Sequence, residues 1–437
     1  MIKKYEKHKE SGIEWVGKIP AHWRISTVKR KLEFLNNKRV PIEAGLRFDR
    51  QGEFPYYGAS GIIDYVDDYI FDGTHILIGE DGANILSRSS RLVFIAQGKF
   101  WVNNHAHILD VPVGNTSYFC EQLELNDFAT LATGSAQPKL TKEALANLAL
   151  IIPPIEEQTQ IANFLDHQTP IIDNLISQKE KLINLLKEKR QAIINESVTI
   201  GLNPNAKMKD SGIEWLGKIP KNWNFRNLET VTLNSRYSFT GGPFGSDLKN
   251  EEYTEEGVRI IQLQNIGVGE FRDDYKIFTS EEKANQLSSC NIFPGDIIIA
   301  KMADPVARAC IIPNADSRYI MASDGIRLEV DTDKFNVKFI EYAINAKYFN
   351  FQAELNSTGT TRLRIGLTTL KKLKLILPNI DEQNDIVRFL ESYNNVFLET
   401  INKLSNQIDY LKDYRKSLIS ETVTGKIDVR DWKPANN

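Results

Sequence analysis

The sequence is short of the features that mark several common classes of protein. Its 437 residues include only three cysteines, Cys120, Cys290 and Cys310, which are widely spaced and form no CxxC pair. We therefore expect buried, reduced thiols rather than a disulfide framework or a zinc site. No segment approaches the roughly 18 consecutive apolar residues that a membrane-spanning helix requires. The charged beginning, MIKKYEKHKESG, lacks the apolar core of a secretory signal, so we expect a cytoplasmic protein.

The sequence also lacks an excess of positive charge, because its formal net charge is −3. A protein that holds nucleic acid by itself usually carries a basic surplus, since it must neutralise phosphates. Three interpretations remain open at this point. The chain does not bind DNA, its basic residues are concentrated locally, or partner proteins make many of the phosphate contacts.

Catalytic signatures are missing as well. The sequence has no GxxxxGK[ST] phosphate loop and no GxSxG nucleophile motif. The IPPI segment at 152–155 lacks the polar first residue and aromatic last residue of an amino-methyltransferase motif. Lys301 follows PGD at 294–296, but an isoleucine stands where a metal-dependent nuclease needs a second carboxylate. His105 and His107 can share one face of a strand, but no further ligand is near, so we expect no metal site.

The most prominent positive feature is internal repetition. Residues 9–23 read KESGIEWVGKIPAHW, and residues 209–223 read KDSGIEWLGKIPKNW, a shift of 200. The segment LALIIPPIEEQ at 148–158 returns as LKLILPNIDEQ at 373–383, a shift of 225. The second copy therefore has 25 extra residues between the two repeats. Two similar frames enclose two dissimilar inserts, which suits the reading of a bipartite, asymmetric site on double-stranded DNA.

Each copy ends in a long amphipathic pattern that begins after a proline and has carboxylates in its opening turn, where they suit the positive end of a helix dipole. Each pattern runs for about 40 residues, or about 60 Å of helix. Apolar residues recur every seven positions, at Leu390, Phe397, Leu404, Leu411 and Leu418, and the positions 225 residues earlier are Leu165, Ile172, Lys179, Leu186 and Ile193. We expect the two helices to pack together antiparallel, although each stripe could instead cover its own domain. Pro170 should kink the first helix or mark a late start.

The inserts contain short apolar runs between glycine and aspartate turns, which predict strands at 69–71, 75–78, 92–95, 107–109, 259–263, 296–300 and 326–330. Helices do not alternate regularly with these runs, which argues against a doubly wound sheet. The predicted fold class is α+β, with two pseudo-symmetric mixed α/β domains joined by two long antiparallel coiled-coil helices.

Basic charge is concentrated just before the second long pattern. Residues 357–374, STGTTRLRIGLTTLKKLK, contain five basic residues and no acidic one, and the first copy has TGSAQPKL at 133–140. Small residues allow a close approach, while arginine, glutamine, lysine and hydroxyl groups contact phosphates and base edges. A solvated turn is the alternative interpretation. Recurrence at the same place in both copies favours contact with DNA.

Together these segments resemble the specificity subunits of type I restriction-modification enzymes. The resemblance rests on the doubled SGIEWxGKIPxxW frame and on the paired PxIxEQxxIxxFL helix starts. It also rests on shorter phrases: PYYGASG at 55–61, IGEDGAN at 78–84, VNNHAH at 102–107, GPFGS at 242–246 and PGDI at 294–297. It covers nearly the whole chain.

The resemblance implies two target-recognition domains, 1–152 and 201–376, each reading one part of a split DNA sequence. Two conserved helices, 153–200 and 377–425, would fix their separation, and residues 426–437 would form a C-terminal tail. The chain itself would be non-catalytic and would bind no cofactor. Its partners would be two methyltransferase subunits that use S-adenosylmethionine on adenine, and restriction subunits that use ATP and Mg. Those partners would share the phosphate contacts, which accounts for the net charge.

Two alternatives to this function stay open. One is a self-contained nuclease or methyltransferase with unusual motifs. The other is an orphan or phage-borne relative that acts as a DNA-binding or interaction scaffold without restriction activity. Neither the recognised bases nor the length of the spacer between them follows from the sequence.

The candidate DNA contacts come from the basic loops and from the family phrases. In the first copy they are Gln137, Lys139, Tyr56, Tyr57, Asn104 and His105, and in the second Thr361, Arg362, Arg364, Lys249 and Lys301. Arginine can pair with guanine and glutamine with adenine in the major groove, each giving roughly 1–3 kcal/mol of discrimination. A phosphate contact or a solvent-facing position is the alternative for each residue.

Overall fold

The computed structural model describes residues 3–134, 137–213, 216–245, 247–302, 304–359 and 362–434. The chain divides into two compact units. Unit 1 is Met1–Glu180 with Ser405–Asn437, and unit 2 is Lys181–Leu404. Each unit contains one insert, called here the first module (24–152) and the second module (224–377), together with part of each long helix. The division of the chain by its sequence repeats stays a prediction.

Both long helices are present. The first long helix is Ile155–Thr199, with 45 residues, and the second long helix is Ile380–Val423, with 44 residues. Acidic residues occupy the first turn of each, as predicted from the helix dipole. Pro170 lies inside the first long helix, so the prediction of a late start is wrong. None of the described helices is both long and apolar enough to cross a membrane.

In unit 1 the two long helices run antiparallel. Arg415 forms an ion pair with Asp173 at 2.8 Å, and Lys179 donates from Nζ to Oε1 of Gln407 at 2.7 Å. The residue numbers rise on one helix as they fall on the other. Lys179, the polar residue in the predicted apolar stripe, therefore meets a polar partner on the facing helix.

In unit 2 the remaining parts of the long helices also meet, where Arg190 donates from Nε to Oδ1 of Asn394 at 2.6 Å. The seven-residue positions are buried or half-buried in both units, at Leu165, Ile172, Leu186, Ile193, Leu390, Phe397, Leu404, Leu411 and Leu418. The predicted coiled-coil stripe is confirmed.

The repeated SGIEW segment lies between two paired antiparallel strands, called here a hairpin, which are His8–Glu10 with Lys18–Pro20 in unit 1 and Met208–Asp210 with Lys218–Pro220 in unit 2. A fully buried tryptophan follows each hairpin, Trp23 and Trp223. A Cβ atom at Gly425 would lie 2.9 Å from the Trp23 ring, and one at Gly201 would lie 3.1 Å from the Trp223 ring. The glycine that follows each long helix thus leaves room for the tryptophan of a hairpin.

The repeated glutamine at the start of each long helix has a structural role. Gln158 is 2% exposed, accepts a hydrogen bond at Oε1 from the Asn115 amide at 3.0 Å, and donates from Nε2 to the Pro153 carbonyl at 2.9 Å. Asn115 caps the module helix Thr116–Glu124. One buried side chain therefore joins a module helix to a long helix.

Unit 2 repeats this arrangement. Gln383 accepts from the Asn336 amide at 2.9 Å and donates to the Pro378 carbonyl at 3.0 Å, and Asn336 caps the module helix Val337–Ile344. The EEQ and DEQ repeats are therefore explained by one buried contact made twice.

A six-stranded sheet fills the described part of the first module. Its spatial order is Glu33–Phe34, Ala106–Asp110, Phe71–Gly79, Val93–Val102, Gln51–Gly58 and Gly61–Val66. A separate pair, Arg24–Thr27 with Ala149–Ile152, leads into the first long helix. Short helices complete the module, at Val28–Lys31, Ala44–Phe48, Asn84–Ser87 and Lys142–Asn147.

The described part of the second module contains two larger sheets. One has the order Phe239–Gly241, Gly325–Leu328, Ile297–Ala300 and Ala309–Ile311, and the other Tyr253–Thr254, Phe278–Thr279, Val258–Ile261, Tyr319–Met321 and Asn291–Ile292. The pair Asn224–Asn227 with Lys374–Leu377 leads into the second long helix. The helices are Glu281–Gln286, Lys347–Leu355 and Leu367–Lys372, besides the capped Val337–Ile344.

The two modules share an arrangement of four strands that their sequences do not reveal. The first four strands of the six-stranded sheet and the four strands of the smaller sheet have the same order and the same antiparallel pairing. What differs is the outer part of each module.

Each run that we predicted to be a strand lies in or overlaps an observed strand. The α+β fold class is confirmed.

The buried glutamines provide a test of the shared frame. Gln158→Leu and Gln383→Leu should each lower the free energy of unfolding by about 1–3 kcal/mol, because each leaves a buried amide and a buried carbonyl without a partner. Urea unfolding followed by circular dichroism measures the loss. Gln178→Leu, on the exposed face of the first long helix, is the control and should change stability little. Equal stability of all three variants would contradict the role assigned to the glutamines.

Candidate nucleic-acid interface

The loop predicted to contact DNA is closed by the same backbone hydrogen bonds in both modules. In the first loop (133–140), Thr133 and Lys139 exchange two backbone hydrogen bonds of 2.9 Å. In the second loop (358–365), Thr358 and Arg364 make the same exchange at the same distances. The two pairs are 225 residues apart, which is also the shift between the long helix starts. The loops are therefore one structural element present twice.

A glycine shapes the tip of each loop. Gly134 has a φ of 87° and Gly359 a φ of 105°, values that favour glycine. A Cβ atom at Gly134 would lie 2.9 Å from the carbonyl oxygen of Gln137, and one at Gly359 would lie 2.4 Å from that of Arg362. Gln137 and Arg362 thus hold equivalent places, and both are exposed.

The first loop is fixed to the end of a central strand through Glu80. The Leu140 amide donates to the Glu80 carbonyl at 2.8 Å, and Lys139 Nζ lies 3.2 Å from the Glu80 carboxylate. Arg39 donates to the same carboxylate at 2.5 Å. Burial works to raise the pKa of Glu80, but the hydrogen bonds from Arg39 and Lys139 and the charge of Arg39 oppose it, and that pKa lies below its ordinary value. Lys139 is therefore partly neutralised within the protein.

The second loop is fixed at the equivalent strand end, but the charge there is reversed. The Ile365 amide donates to the carbonyl of Lys301 at 2.9 Å, so Lys301 stands where the first module has Glu80. Lys301 donates from Nζ to the Ser323 carbonyl at 2.8 Å, and burial lowers its pKa. Arg364 is paired with Asp324 at 2.6 Å.

The two histidines of the first module have different environments. His105 is half-exposed and pairs with Asp81 at 2.7 Å. His107 is 1% exposed, accepts at Nδ1 from the Asn36 amide group and donates from Nε2 to the Leu140 carbonyl, both at 2.8 Å. This arrangement requires the neutral ring. Within the described ranges, no group of three or more His, Cys, Asp or Glu side chains is placed to hold a metal ion.

The other candidates of the first module fall into separate groups. Asn104 is exposed beside His105, and its carbonyl accepts from Arg39 at 3.1 Å. Tyr57 is half-buried against Phe94, and burial raises its pKa. Tyr56 is fully buried and its hydroxyl accepts from the Ile42 amide at 3.0 Å. Tyr56 is therefore a core residue, and we withdraw it as a candidate for contact with DNA.

In the second module, Lys301 and Arg364 line a cleft of about 1070 Å³. Lys283 also lines it, and Phe244, 82% exposed, stands in the glycine-rich segment at its edge. We did not predict either residue as part of the site. The GPFGS phrase contains Phe244 but indicates no role for it, and Lys283 is distant in sequence from Lys301 and Arg364.

The remaining candidates of the second module lie elsewhere. Arg362 lines a separate cavity of about 440 Å³. Lys249 is exposed ahead of the short turn Asn250–Glu252 and is not among the described residues that line either cavity. Thr361 lies outside the described residues.

Comparison with known proteins gives the family. The model of the type I restriction modification DNA specificity domain matches residues 20–188 and 243–410, more than half of the chain. The chain therefore belongs to that family and is a specificity subunit, the non-catalytic component of a type I restriction enzyme.

Individual relatives agree with this family over nearly the full length. The type I restriction enzyme MjaVIII specificity subunit of Methanocaldococcus jannaschii is 23% identical over 425 residues, 95% of each chain. A putative type I restriction enzyme specificity subunit of Haemophilus influenzae is 26% identical over 368 residues, covering 83% of this chain and 85% of that one.

Two solved structures share the fold. A chain from a structure that describes complex assembly and conformational transition of the type I R-M system superposes with a TM-score of 0.67 at 13% identity, covering 94% of this chain and 99% of that chain. The HsdS subunit of Thermoanaerobacter tengcongensis gives a TM-score of 0.51 at 14% identity, covering 94% and 98%.

The buried His107 should make the stability of unit 1 depend on pH. Burial lowers its pKa from 6.5, so between the folded pKa and 6.5 the unfolded chain binds more protons than the folded one. This contribution is present above about pH 6.5 and is lost as the pH falls from there to the folded pKa.

We expect the free energy of unfolding of the native protein to fall more than that of His107→Gln when the pH is lowered from about 8 to about 5. Urea unfolding at a series of pH values measures the difference between the two proteins. His8→Gln, in an exposed hairpin strand, controls for the removal of a histidine. A difference that stays constant over this pH range would contradict the burial of a neutral ring.

Proposed function

We propose that this chain reads a bipartite, asymmetric DNA sequence, with one part contacted by each module. The observation that carries the proposal is the single loop structure, present once in each module and set in different surroundings. The first loop lies beside an acidic residue, Glu80, and the second beside a basic one, Lys301. The two modules share a fold but differ in the charges beside the loop. This suits two DNA half-sites that share the sugar-phosphate backbone but differ in their bases.

The cleft of the second module supports DNA as the ligand. Lys283, Lys301 and Arg364 line it, although Lys283 is paired with Glu252 and Arg364 with Asp324, and the exposed ring of Phe244 offers a surface for contact with a base. Positive side chains and aromatic rings together are typical of nucleic-acid sites. With the withdrawal of Tyr56, the proposed contacts are Gln137, Lys139, Tyr57, Asn104, His105, Thr361, Arg362, Arg364, Lys249, Lys301 and, added from the structure, Phe244 and Lys283.

Exposed apolar side chains on the long helices support docking of partner subunits. In unit 1, Tyr410 is 69% exposed and stacks on Tyr414 with 6.4 Å between ring centroids. In unit 2, Val396 is 62% exposed and shares a helix face with Phe389 and Tyr393, which are each 37% exposed and have 5.4 Å between their ring centroids. Clustered apolar residues at a surface are typical of protein interfaces. We propose that each unit binds one methyltransferase subunit through its long helices, so that the complex contains two.

The chemistry belongs to the partners in this proposal. The methyltransferase subunits bind S-adenosylmethionine and methylate adenine, and restriction subunits, where they join, use ATP and Mg. This chain supplies the sequence preference and needs no cofactor. The complex acts on DNA in the cytoplasm.

Methylation in a host with and without the gene tests the proposal directly. Expression together with a cognate methyltransferase subunit should produce adenine methylation at one two-part motif, and deletion of this gene should abolish it. Long-read sequencing that detects methylated adenine gives the motif. Methylation that persists without the gene would remove the role in sequence reading. Methylation or cleavage of DNA by the purified chain alone would show that it is itself an enzyme.

The proposed docking faces predict a change in stoichiometry. Tyr410→Asp in unit 1 and Val396→Asp in unit 2 should each reduce the number of bound methyltransferase subunits from two to one, because each places a charge in an apolar contact. Native mass spectrometry of the assembled complex counts the subunits. Glu399→Asp, on the same helix and exposed, is the control. Two bound subunits in both aspartate variants would contradict docking at these faces.

A further inference from the structure

We infer that the tips of the two loops, Gln137 and Arg362, hold the sugar-phosphate backbone of DNA and do not read its bases. The inference rests on the proposed function and assigns a role within it. It separates the residues that position each module on the duplex from those that select a sequence.

The first argument is the equivalence of the loops. Both are closed by the same pair of backbone hydrogen bonds, both turn at a glycine with positive φ, and both are anchored at the end of the same central strand of the shared sheet. Modules that read unlike half-sites need unlike groups at the bases. The sugar-phosphate backbone is the part of the DNA that both half-sites have in common. The loop is a part of the protein that both modules have in common, so it suits contact with that backbone.

The second argument is the place where the modules diverge. Beyond the shared strands, the first module adds Gln51–Gly58 and Gly61–Val66, and the second adds a separate five-stranded sheet. These outer parts have no counterpart in the other module. They are therefore the better place for groups that distinguish one base sequence from another.

The third argument concerns which charges are available. Lys139 and Arg364 also occupy equivalent positions, but each is paired with a carboxylate, Glu80 and Asp324 respectively. Their first role is to hold the loop in place. Arg362 is exposed and has no hydrogen bond or ion pair within the described part of the chain. Its guanidinium group is thus free to bind a phosphate, and the amide of Gln137 can donate to one at the equivalent position.

A methyltransferase subunit is another ligand that both modules would share. The tips are a poor fit to it, because their described side chains are polar and the apolar residue that ends each loop, Leu140 or Ile365, is fully buried. The core of a protein interface is enriched in apolar and aromatic side chains. An exposed arginine or amide side chain at the tip suits a phosphate better.

The test measures DNA binding by the complete complex with its methyltransferase as the salt concentration is raised. Arg362→Ala should weaken binding to the native site and to sites with altered bases by the same factor. The slope of log K against log salt should become smaller by about 1, since one phosphate contact is lost. The methylated motif should be unchanged.

The equivalent position of the first module allows a test by gain of charge. Gln137→Arg should strengthen binding to all sites by a similar factor and increase the salt slope by about 1. A variant that fails to fold cannot give this result. The matched control for Arg362→Ala is Arg226→Ala, at an exposed arginine of the strand Asn224–Asn227. It should leave both the salt slope of DNA binding and the methylated motif unchanged.

Three results would overturn the inference. Relaxed preference at one base position in Arg362→Ala, or a new preference in Gln137→Arg, would make the tips base readers. Loss of methyltransferase binding with an unchanged salt slope would make them a partner contact. Unchanged binding in both variants would leave the tips without a role at DNA. Absence of any specific methylation by the native complex would instead contradict the proposed function itself.

Discussion

The buried glutamine at the start of each long helix is the contact on which the positions of the other elements depend. Its carboxamide accepts from the cap of a module helix and donates to the carbonyl of the proline before the long helix, so it fixes two helix starts with one side chain. Twelve residues separate that proline from the loop in each unit, and they include a short helix and a paired strand. The loop is therefore placed relative to the long helix by a rigid, repeated path, which explains why loop and helix start share one shift of 225 residues.

The parts of the fold that could be predicted from the sequence are those governed by local periodicity. Seven-residue spacing predicted both long helices and the face that each of them buries. Short apolar runs predicted the central strands. The sheet order shared by the two modules could not be predicted, because pairing of strands distant in sequence leaves no local signal. The candidate site was likewise predictable only in part. The two loops were recognisable as counterparts, whereas the cleft beside Phe244 brings together Lys283, Lys301 and Arg364 from distant segments.

The neighbours Tyr56 and Tyr57 show why adjacent residues of one motif cannot be assigned a role from sequence alone. Successive side chains of a strand point to opposite faces, so only one of the two can face the core on a given side. Tyr56 is fully buried, whereas Tyr57 is half-buried against Phe94. A single PYYG sequence contains no information about which face is covered. That information comes from the segment around Ile42, whose amide binds the Tyr56 hydroxyl.

Ion pairs within the chain occupy several of the cations beside the two loops. Around the first loop, Arg39 and Lys139 are held by Glu80, and around the second loop Arg364 is held by Asp324. Such pairs make the loops rigid but remove cations from the set that can neutralise phosphates. Few positive groups then remain for a duplex that carries one negative charge per roughly 1.7 Å of its axis. Under the proposed function, a subunit built in this way selects the DNA sequence, and we expect the partner subunits to supply the further phosphate contacts that hold the duplex.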